Sequence, residues 1–355
     1  MNMAIVVRKL SGHGGMESVI ATVNQTARSY GIPLEVWAMG HPDDPSWLRE
    51  TLWRQVNIDQ GTARRLQLQA KLPLYVGALA FLLRTTSVDT LLATDPTFVE
   101  AAFWARKLVR RPLRIISWLH FPLDRMAHIH HLLHADGHLA ISTGLERQLR
   151  AIGVRAPITV TYNPLPADFR RQDPPTSPEP GHFLYVGRLA VAQKRIDLIL
   201  YGLQHLPGPW QLTLVGDGPD RGLLESLAAE LGLSGRVHFA GWRADPWERQ
   251  SPTALLLPSD FEGFPMALVE ALARGIPVIA ADCPTGPSDI IYEGKNGFLI
   301  SPGSTQGLRC AAQRSLHPRA WRWDAGHRQR DALRRFNAGR VFQAMTAGIE
   351  MCRPL

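Results

Sequence analysis

The sequence predicts an α/β protein made of two Rossmann-like domains with parallel sheets facing an interdomain cleft. Three observations carry that reading. Short apolar runs alternate with helical patterns along the chain, the signature of βαβ units. A proline-rich break, Asp173-Pro-Pro-Thr-Ser-Pro-Glu-Pro-Gly181, interrupts the alternation and reads as an interdomain linker. The alternation then restarts, and 355 residues are enough for two separate cores.

Taken in order, residues 4–7, 33–38, 90–93, 113–118 and 138–141 read as buried strands of the first domain, with helices over 16–30 and 143–152. After the linker, 182–186, 211–215, 237–240, 254–257 and 277–280 read as strands, with helices over 196–205, 221–231 and 266–274. The expected division is 1–172 for the first Rossmann-like domain and 173–336 for the second. A C-terminal amphipathic segment, 337–355, is expected to return to the first domain.

Composition narrows the class. Apolar content of 45% with 8% aromatics is ordinary for a soluble enzyme. The start, Met1-Asn-Met-Ala-Ile-Val-Val, lacks a basic leader and reads as the first strand. The longest apolar stretch, 72–83, is too short to span a bilayer. Cys283, Cys310 and Cys352 give neither a disulfide framework nor a metal spacing, so a cytoplasmic protein is expected. The net charge of +8 is uneven: residues 1–175 hold 20 Lys+Arg against 14 Asp+Glu, net +6, and the remainder 19 against 17, net +2. Clusters at Arg64-Arg65, Arg106-Lys107 and Arg110-Arg111-Pro-Leu-Arg114 suit an anionic partner: a membrane face, a phosphorylated acceptor or nucleic acid. A merely solvated basic face is the competing reading.

The chemistry concentrates at strand ends, where α/β sheets bind nucleotides. Asp260-Phe-Glu-Gly-Phe-Pro-Met-Ala-Leu-Val-Glu270 links the strand at 254–257 to a helix and places Glu262 in the loop and Glu270 inside the helix. The loop carboxylate suits a sugar, the helix-start amides around Phe264, Pro265 and Met266 a diphosphate, and the helix carboxylate a ribose. Gly187-Arg188-Leu-Ala-Val-Ala-Gln-Lys194 brackets one loop with two cations able to neutralise a diphosphate leaving group. Val215-Gly216-Asp217-Gly-Pro219 is a second tight strand-end turn; on its own it reads as structural, and Gly216 and Asp217 join the donor-binding set. Ser11-Gly-His-Gly14-Gly15-Met-Glu17 opens the first helix, where paired glycines admit a phosphate to the backbone. It is not a G-x-G-x-x-G fingerprint, so it does not predict NAD. In Ser117-Trp-Leu-His120-Phe-Pro-Leu-Asp124 a histidine ends a strand and faces the crevice of an open sheet, with a half-buried structural histidine as the alternative. His128, His130, His131 and His134 crowd together, and His130 and His134 would share a face of an α-helix. With no acidic partner or H-e-x-x-H spacing, no metal site is expected. Nor is there a G-x-S-x-G elbow, a Walker A motif or an RNA-binding signature.

Together these segments resemble the retaining glycosyltransferases of family 4, which have the GT-B architecture. The Glu262–Glu270 spacing resembles that family's E-x7-E motif, and Arg188 with Lys194 its diphosphate pair. More narrowly, Gly14-Gly-Met-Glu-Ser-Val-Ile20, residues 117–124, Gln193-Lys-Arg195, Phe261-Glu-Gly-Phe-Pro-Met266 and residues 281–291 are similar to the lipopolysaccharide 1,6-galactosyltransferases.

The resemblance implies a UDP-hexose donor, UDP-galactose, and a lipopolysaccharide core acceptor. It implies transfer with retention at the cytoplasmic face of the inner membrane, with the protein bound peripherally and no metal or other cofactor. Within it, His120, Glu262, Arg188 and Lys194 are the expected catalytic set, with His120 over the reacting sugar, and Asp124 touches the acceptor. Alternatives keep the fold and change the acceptor to a capsule or exopolysaccharide, or the donor to UDP-glucose. A basic nucleic-acid-binding protein is the distant alternative, and no recognisable module supports it.

Overall fold

A computed structural model describes residues 1–8, 15–41, 43–44, 51–58, 68–166, 169, 181–248, 251–317 and 320–354. Gly14, Arg64, Arg65 and most of the proline-rich linker lie outside the described residues. The chain divides into two compact units, Met1–Phe169 with Phe336–Leu355, and Arg170–Arg335.

Unit 1 contains β1 Met3–Val7, α1 Gly15–Ser29, β2 Leu34–Ala38, β3 Leu52–Gln55, α2 Leu68–Thr85, β4 Thr90–Ala93, α3 Pro96–Val109, β5 Arg114–Leu119, β6 Gly137–Ala140, α4 Thr143–Ala151 and β7 Ile158–Val160. Its seven strands are ordered β3-β2-β1-β4-β5-β6-β7, and every pairing is parallel. The order reverses direction at β1, so the ends of β1 and β4 define a switch point of the kind at which α/β sheets take ligands. Four central strands, β1, β4, β5 and β6, are near-continuous apolar runs because helices cover both faces. At the sheet's edge β3 instead has alternating exposure, which is why its sequence gives no buried-strand signal.

Unit 2 contains β8 His182–Val186, α5 Val191–Lys194, α6 Ile196–Gln204, β9 Gln211–Val215, α7 Arg221–Glu230, β10 Val237–Gly241, β11 Ala254–Leu257, α8 Met266–Ala273, β12 Val278–Ala281, α9 Pro287–Ile290, β13 Gly297–Ile300, α10 Thr305–Ser315 and α11 Ala325–Arg335. Its sheet order is β10-β9-β8-β11-β12-β13, again parallel throughout. The switch point falls between β8 and β11, the two strands whose ends carry Arg188 and Glu262.

The last helix, α12 Ala338–Glu350, packs on α1, β6 and β7. Asn337 caps it by accepting from the Arg340 amide, and Val341, Phe342, Met345 and Ile349 form its buried stripe. Tyr162 and Phe336 meet edge to face at 5.9 Å where the chain re-enters unit 1.

The structure reassigns part of the basic surface expected from sequence. Arg106 is buried and binds both carboxylate oxygens of buried Asp136, at 2.8 and 3.0 Å. Arg111 donates to the carbonyls of Leu83, Thr86 and Val88, which closes the C-terminal end of α2. Arg114 donates to the Cys352 carbonyl. These three arginines satisfy backbone and carboxylate groups inside unit 1, so a membrane-facing role does not fit them.

Candidate active site

In unit 2 the turns after β8 and β9 lie backbone against backbone. A Cβ on Gly216 would sit 1.9 Å from the Gly187 carbonyl oxygen, and one on Gly218 2.3 Å from that of Leu189. Both positions admit only glycine, and Gly216 also has a φ of 141°. The exposed Asp217 carboxylate accepts from the Gly218 amide at 2.8 Å on Oδ1. The two close backbone approaches give the motif Val215-Gly-Asp-Gly its place in the rim.

The segment after β8 is not a plain loop. Residues 191–194 form the single turn α5, because Asp220 accepts from the Val191 amide at 2.7 Å and caps it. Arg195 ends that turn in the left-handed conformation, φ 49°, and its guanidinium binds Asp197 and Asp260. The Asp260 amide donates to the Gln193 carbonyl at 2.9 Å. Gln193 in turn donates to the Phe261 carbonyl. These contacts join the strand ends of β8 and β11 and bring Lys194 Nζ to 2.7 Å from Glu262 Oε1.

Glu262 is 5% exposed. Its backbone carbonyl accepts from the Thr285 hydroxyl. Gly286, φ 96°, lets residues 284–287 close on Pro265, since a Cβ there would meet Pro265 Cδ at 2.6 Å. Burial, with Glu262 next, pushes the Cys283 thiol up to about 12, so it is no nucleophile at neutral pH. Burial and Glu262 likewise raise the Tyr185 phenol, which donates to the Arg188 carbonyl at 2.8 Å and fixes the Arg188 backbone. The Arg188 side chain is exposed and, among the described residues, makes no ion pair.

Phe264 is buried, Pro265 precedes α8, and Met266 is its first residue. Glu270 lies one turn into α8. Its Oε2 accepts from Trp247 Nε1 at 2.8 Å, and the Arg274 guanidinium lies over the Trp247 ring at 4.9 Å. Burial raises the Glu270 carboxyl above its usual range, against the lowering effect of Trp247 and Arg274. Sequence reasoning missed Trp247, because it stands in a loop with no periodicity to mark it.

In unit 1, Gly15 is the first residue of α1, and among the described residues nothing lies within 4 Å of where a Cβ would stand. His120 follows β5 directly. It is 8% exposed, packs edge-on against Trp118 at 4.5 Å, and its Nε2 has no hydrogen-bond partner among the described residues. Burial pushes its pKa down to about 3, so it is neutral at physiological pH. Asp124 is exposed in the short 3-10 segment Leu123–Arg125 and pairs with Arg125 at 3.5 Å.

The histidine cluster differs from the sequence expectation. Ile129–His134 is 3-10, with three residues per turn, so His130 and His134 do not share a face. His134 pairs with Glu100 and stacks on Phe103 at 4.3 Å. His128, His130 and His131 bring ring nitrogens within 4.8 Å of one another. The rings of His128 and His131 are stacked, 13° from parallel, with centroids 5.3 Å apart.

Two parallel sheets, with a cation–carboxylate pair and a half-buried helix carboxylate at the switch point of the second, define an α/β protein of the doubly wound kind. The chain belongs to the group 1 glycosyl transferases, whose family pattern matches residues 167–326, and is a glycosyltransferase. It is 38% identical over 317 residues to the lipopolysaccharide 1,6-galactosyltransferase of Salmonella typhimurium, covering 86% of each chain. It is 36% identical to the Escherichia coli protein of the same name, covering 87% of each. The structure of the lipopolysaccharide outer core galactosyltransferase WaaB, apo form, superposes with a TM-score of 0.87 at 34% identity, covering 99% of both chains. Anabaena HepE in complex with UDP shares the fold, at TM-score 0.80 and 21% identity. The fold is GT-B.

Proposed function

We propose that the protein is a retaining family 4 galactosyltransferase that moves galactose from UDP-galactose to a lipopolysaccharide core. The observation that carries the reading is the 2.7 Å pairing of Lys194 with buried Glu262, in a chain 38% identical to a lipopolysaccharide 1,6-galactosyltransferase.

Lys194 has three donors, and Glu262 takes one. The others, with the exposed Arg188 guanidinium and the amides at Gly15 and at Met266, neutralise the departing diphosphate. Gly14 is assigned the same role as Gly15. These cations take the place of a divalent metal, so no metal or other cofactor is required. Glu262 keeps one carboxylate oxygen for the hydroxyls of the donor sugar. Glu270 receives the ribose hydroxyls on the oxygen that Trp247 leaves free. Phe264 and Pro265 line the donor. Gly216 and Asp217 hold the shape of the rim. His120 is neutral, and its unpartnered Nε2 hydrogen-bonds the transferred sugar. Asp124 contacts the acceptor.

Retention follows from front-face attack: the acceptor hydroxyl bonds the anomeric carbon as the bond to the diphosphate breaks, and the diphosphate oxygen takes the acceptor proton. The protein works peripherally at the cytoplasmic face of the inner membrane, where a lipid-linked acceptor is presented. The test is a transfer assay pairing UDP-galactose and UDP-glucose with truncated lipopolysaccharide cores. Transfer of galactose to one core length supports the reading. Transfer only to a capsule or exopolysaccharide acceptor, or only from UDP-glucose, replaces it.

A further inference from the structure

One face of unit 1 is unaccounted for by donor or acceptor chemistry. Helices α2 and α3 pack side by side: Tyr75, midway along α2, meets Phe98 near the N-terminal end of α3, and Arg111, just past α3, binds carbonyls at the C-terminal end of α2. They therefore run parallel and present a common outer surface. Toward their C-terminal ends that surface exposes Phe81, 64%, Trp104, 47%, and Leu108, 56%. Exposed Arg84, Lys107 and Arg110 stand among these apolar side chains. Lys107 Nζ lies 4.1 Å from the Phe103 ring centroid and 5.0 Å from that of Trp104.

The acid inventory is one-sided. Across α2 and α3 the single acidic residue is Glu100, which is buried and held by Trp104 and His134. The nearest acid in the chain beyond the end of α2, Asp89, is tied to the Met1 amino group and Asn2. The basic edge continues into an open groove of about 560 Å³, where Arg155 and Arg353 flank the exposed side chains of Leu133 and Met351.

Aromatic and aliphatic side chains exposed among cations, on two helices that carry no exposed carboxylate, match an anionic bilayer surface. Trp partitions to the headgroup level, and Lys and Arg are drawn to anionic lipid. A protein partner with an acidic face would satisfy the cations but would leave Phe81 and Leu108 without an apolar counterpart of their own depth. We propose that this edge of unit 1 docks on an anionic lipid leaflet, seating Phe81, Trp104 and Leu108 in its headgroup layer.

The placement has a consequence for the acceptor. The C-terminal ends of α2 and α3 lead into β4 and β5, so the docking edge lies at the N-terminal ends of the strands. Gly15 and His120 lie at the opposite ends, and the 14 residues of α3 span about 21 Å between the two. Docked this way, the protein holds its acceptor-facing edge well clear of the lipid, which suits an acceptor sugar separated from its lipid anchor by other sugars. This last point alone rests on the lipid-linked acceptor proposed above.

The experiment is vesicle co-sedimentation of the full chain with phosphatidylcholine alone and with phosphatidylcholine mixed with phosphatidylglycerol, at low and high salt. Binding is expected to the anionic vesicles only and to weaken with salt. Each cation near the surface contributes about fivefold in partition, so Arg84→Glu with Arg110→Glu lowers binding by at least about 25-fold. Phe81→Ser lowers it at either salt concentration. Arg334→Glu made together with Arg330→Glu, a charge change of the same size on unit 2, leaves it within about twofold. Equal binding to both lipids, no binding to either, or equal loss with Arg334→Glu and Arg330→Glu together overturns the proposal. Galactose transfer to a soluble, delipidated core oligosaccharide is measured on the same variants and stays at the wild-type level. If wild type itself fails to transfer to that oligosaccharide, the assigned reaction is wrong while the vesicle result still decides the docking surface.

Discussion

Replacing Lys194 with alanine separates the chemical role of the Lys194–Glu262 pair from its structural one. In the transition state the ammonium faces a diphosphate gaining negative charge, and removing one such donor costs about 2–4 kcal/mol. At about 1.36 kcal/mol per tenfold, turnover falls about 30- to 900-fold. The same change strands a buried carboxylate, because Glu262 is 5% exposed and Lys194 is its cationic partner at 2.7 Å. Breaking a buried pair from one side costs about 3–5 kcal/mol of stability, less here because Lys194 keeps 19% side-chain exposure and water reaches it. Two effects are therefore expected from one substitution, a lower melting temperature and a lower kcat. The double variant Lys194→Ala with Glu262→Gln removes the stranded charge. It recovers most of the lost stability and none of the turnover. The assay is UDP release under saturating donor, read beside thermal unfolding of all three proteins. A folded Lys194→Ala enzyme with near-wild-type kcat refutes the assignment, and so does a double variant that regains activity along with stability.

Three further expectations follow from the geometry. Trp247→Phe keeps the packing under Arg274 but removes the hydrogen bond to Glu270, so kcat/KM for donor falls by about 1–2 kcal/mol. Because burial already raises the Glu270 carboxyl and Trp247 opposes that, the acidic limb of the donor KM profile moves to higher pH in this variant; an unmoved limb contradicts the role. His120, with a pKa near 3 in the native state against 6.5 when exposed, contributes stability above 6.5 that is lost as pH falls toward 3. His120→Asn therefore flattens the acid side of the stability curve and removes no limb from the rate profile near neutrality; loss of a limb there would show a titrating catalytic histidine instead. Asp136→Asn breaks a fully buried pair with Arg106 and costs about 3–5 kcal/mol in chemical denaturation, whereas a loss below about 1 kcal/mol contradicts it.

The strands that carry function were legible because they are buried on both faces. Residues 90–93, 182–186 and 254–257 read as strands and form β4, β8 and β11 with those limits. The edge strands β3 and β7 were not, since half-exposed edges need no apolar run. Helix α2 was seen only as an apolar stretch, because Pro73 lies inside it and its apolar residues face both core and solvent. At the site, the spacing of Glu262 and Glu270 was plain in the sequence, and the turn geometry behind it was not. That Asp220 caps α5, that Arg195 adopts a left-handed φ to reach Asp260, and that Trp247 reaches Glu270 are contacts between segments far apart in sequence. The basic clusters were legible only in part for a related reason: charge is visible in a sequence, but the carbonyls that occupy Arg111 and the carboxylate that occupies Arg106 are not, while Lys107 and Arg110 are exposed.

The central claim is galactosyl transfer with retention from a UDP-sugar, carried out by cationic side chains without a metal. It is tested most directly by incubating the metal-stripped, chelator-treated protein with UDP-galactose and a galactose-deficient lipopolysaccharide core, and reading the anomeric configuration of the product by NMR. The expected result is a galactosylated core with the donor's α configuration, formed at the rate seen before chelation. A β-linked product, or activity that vanishes on chelation and returns with one specific metal, contradicts the account.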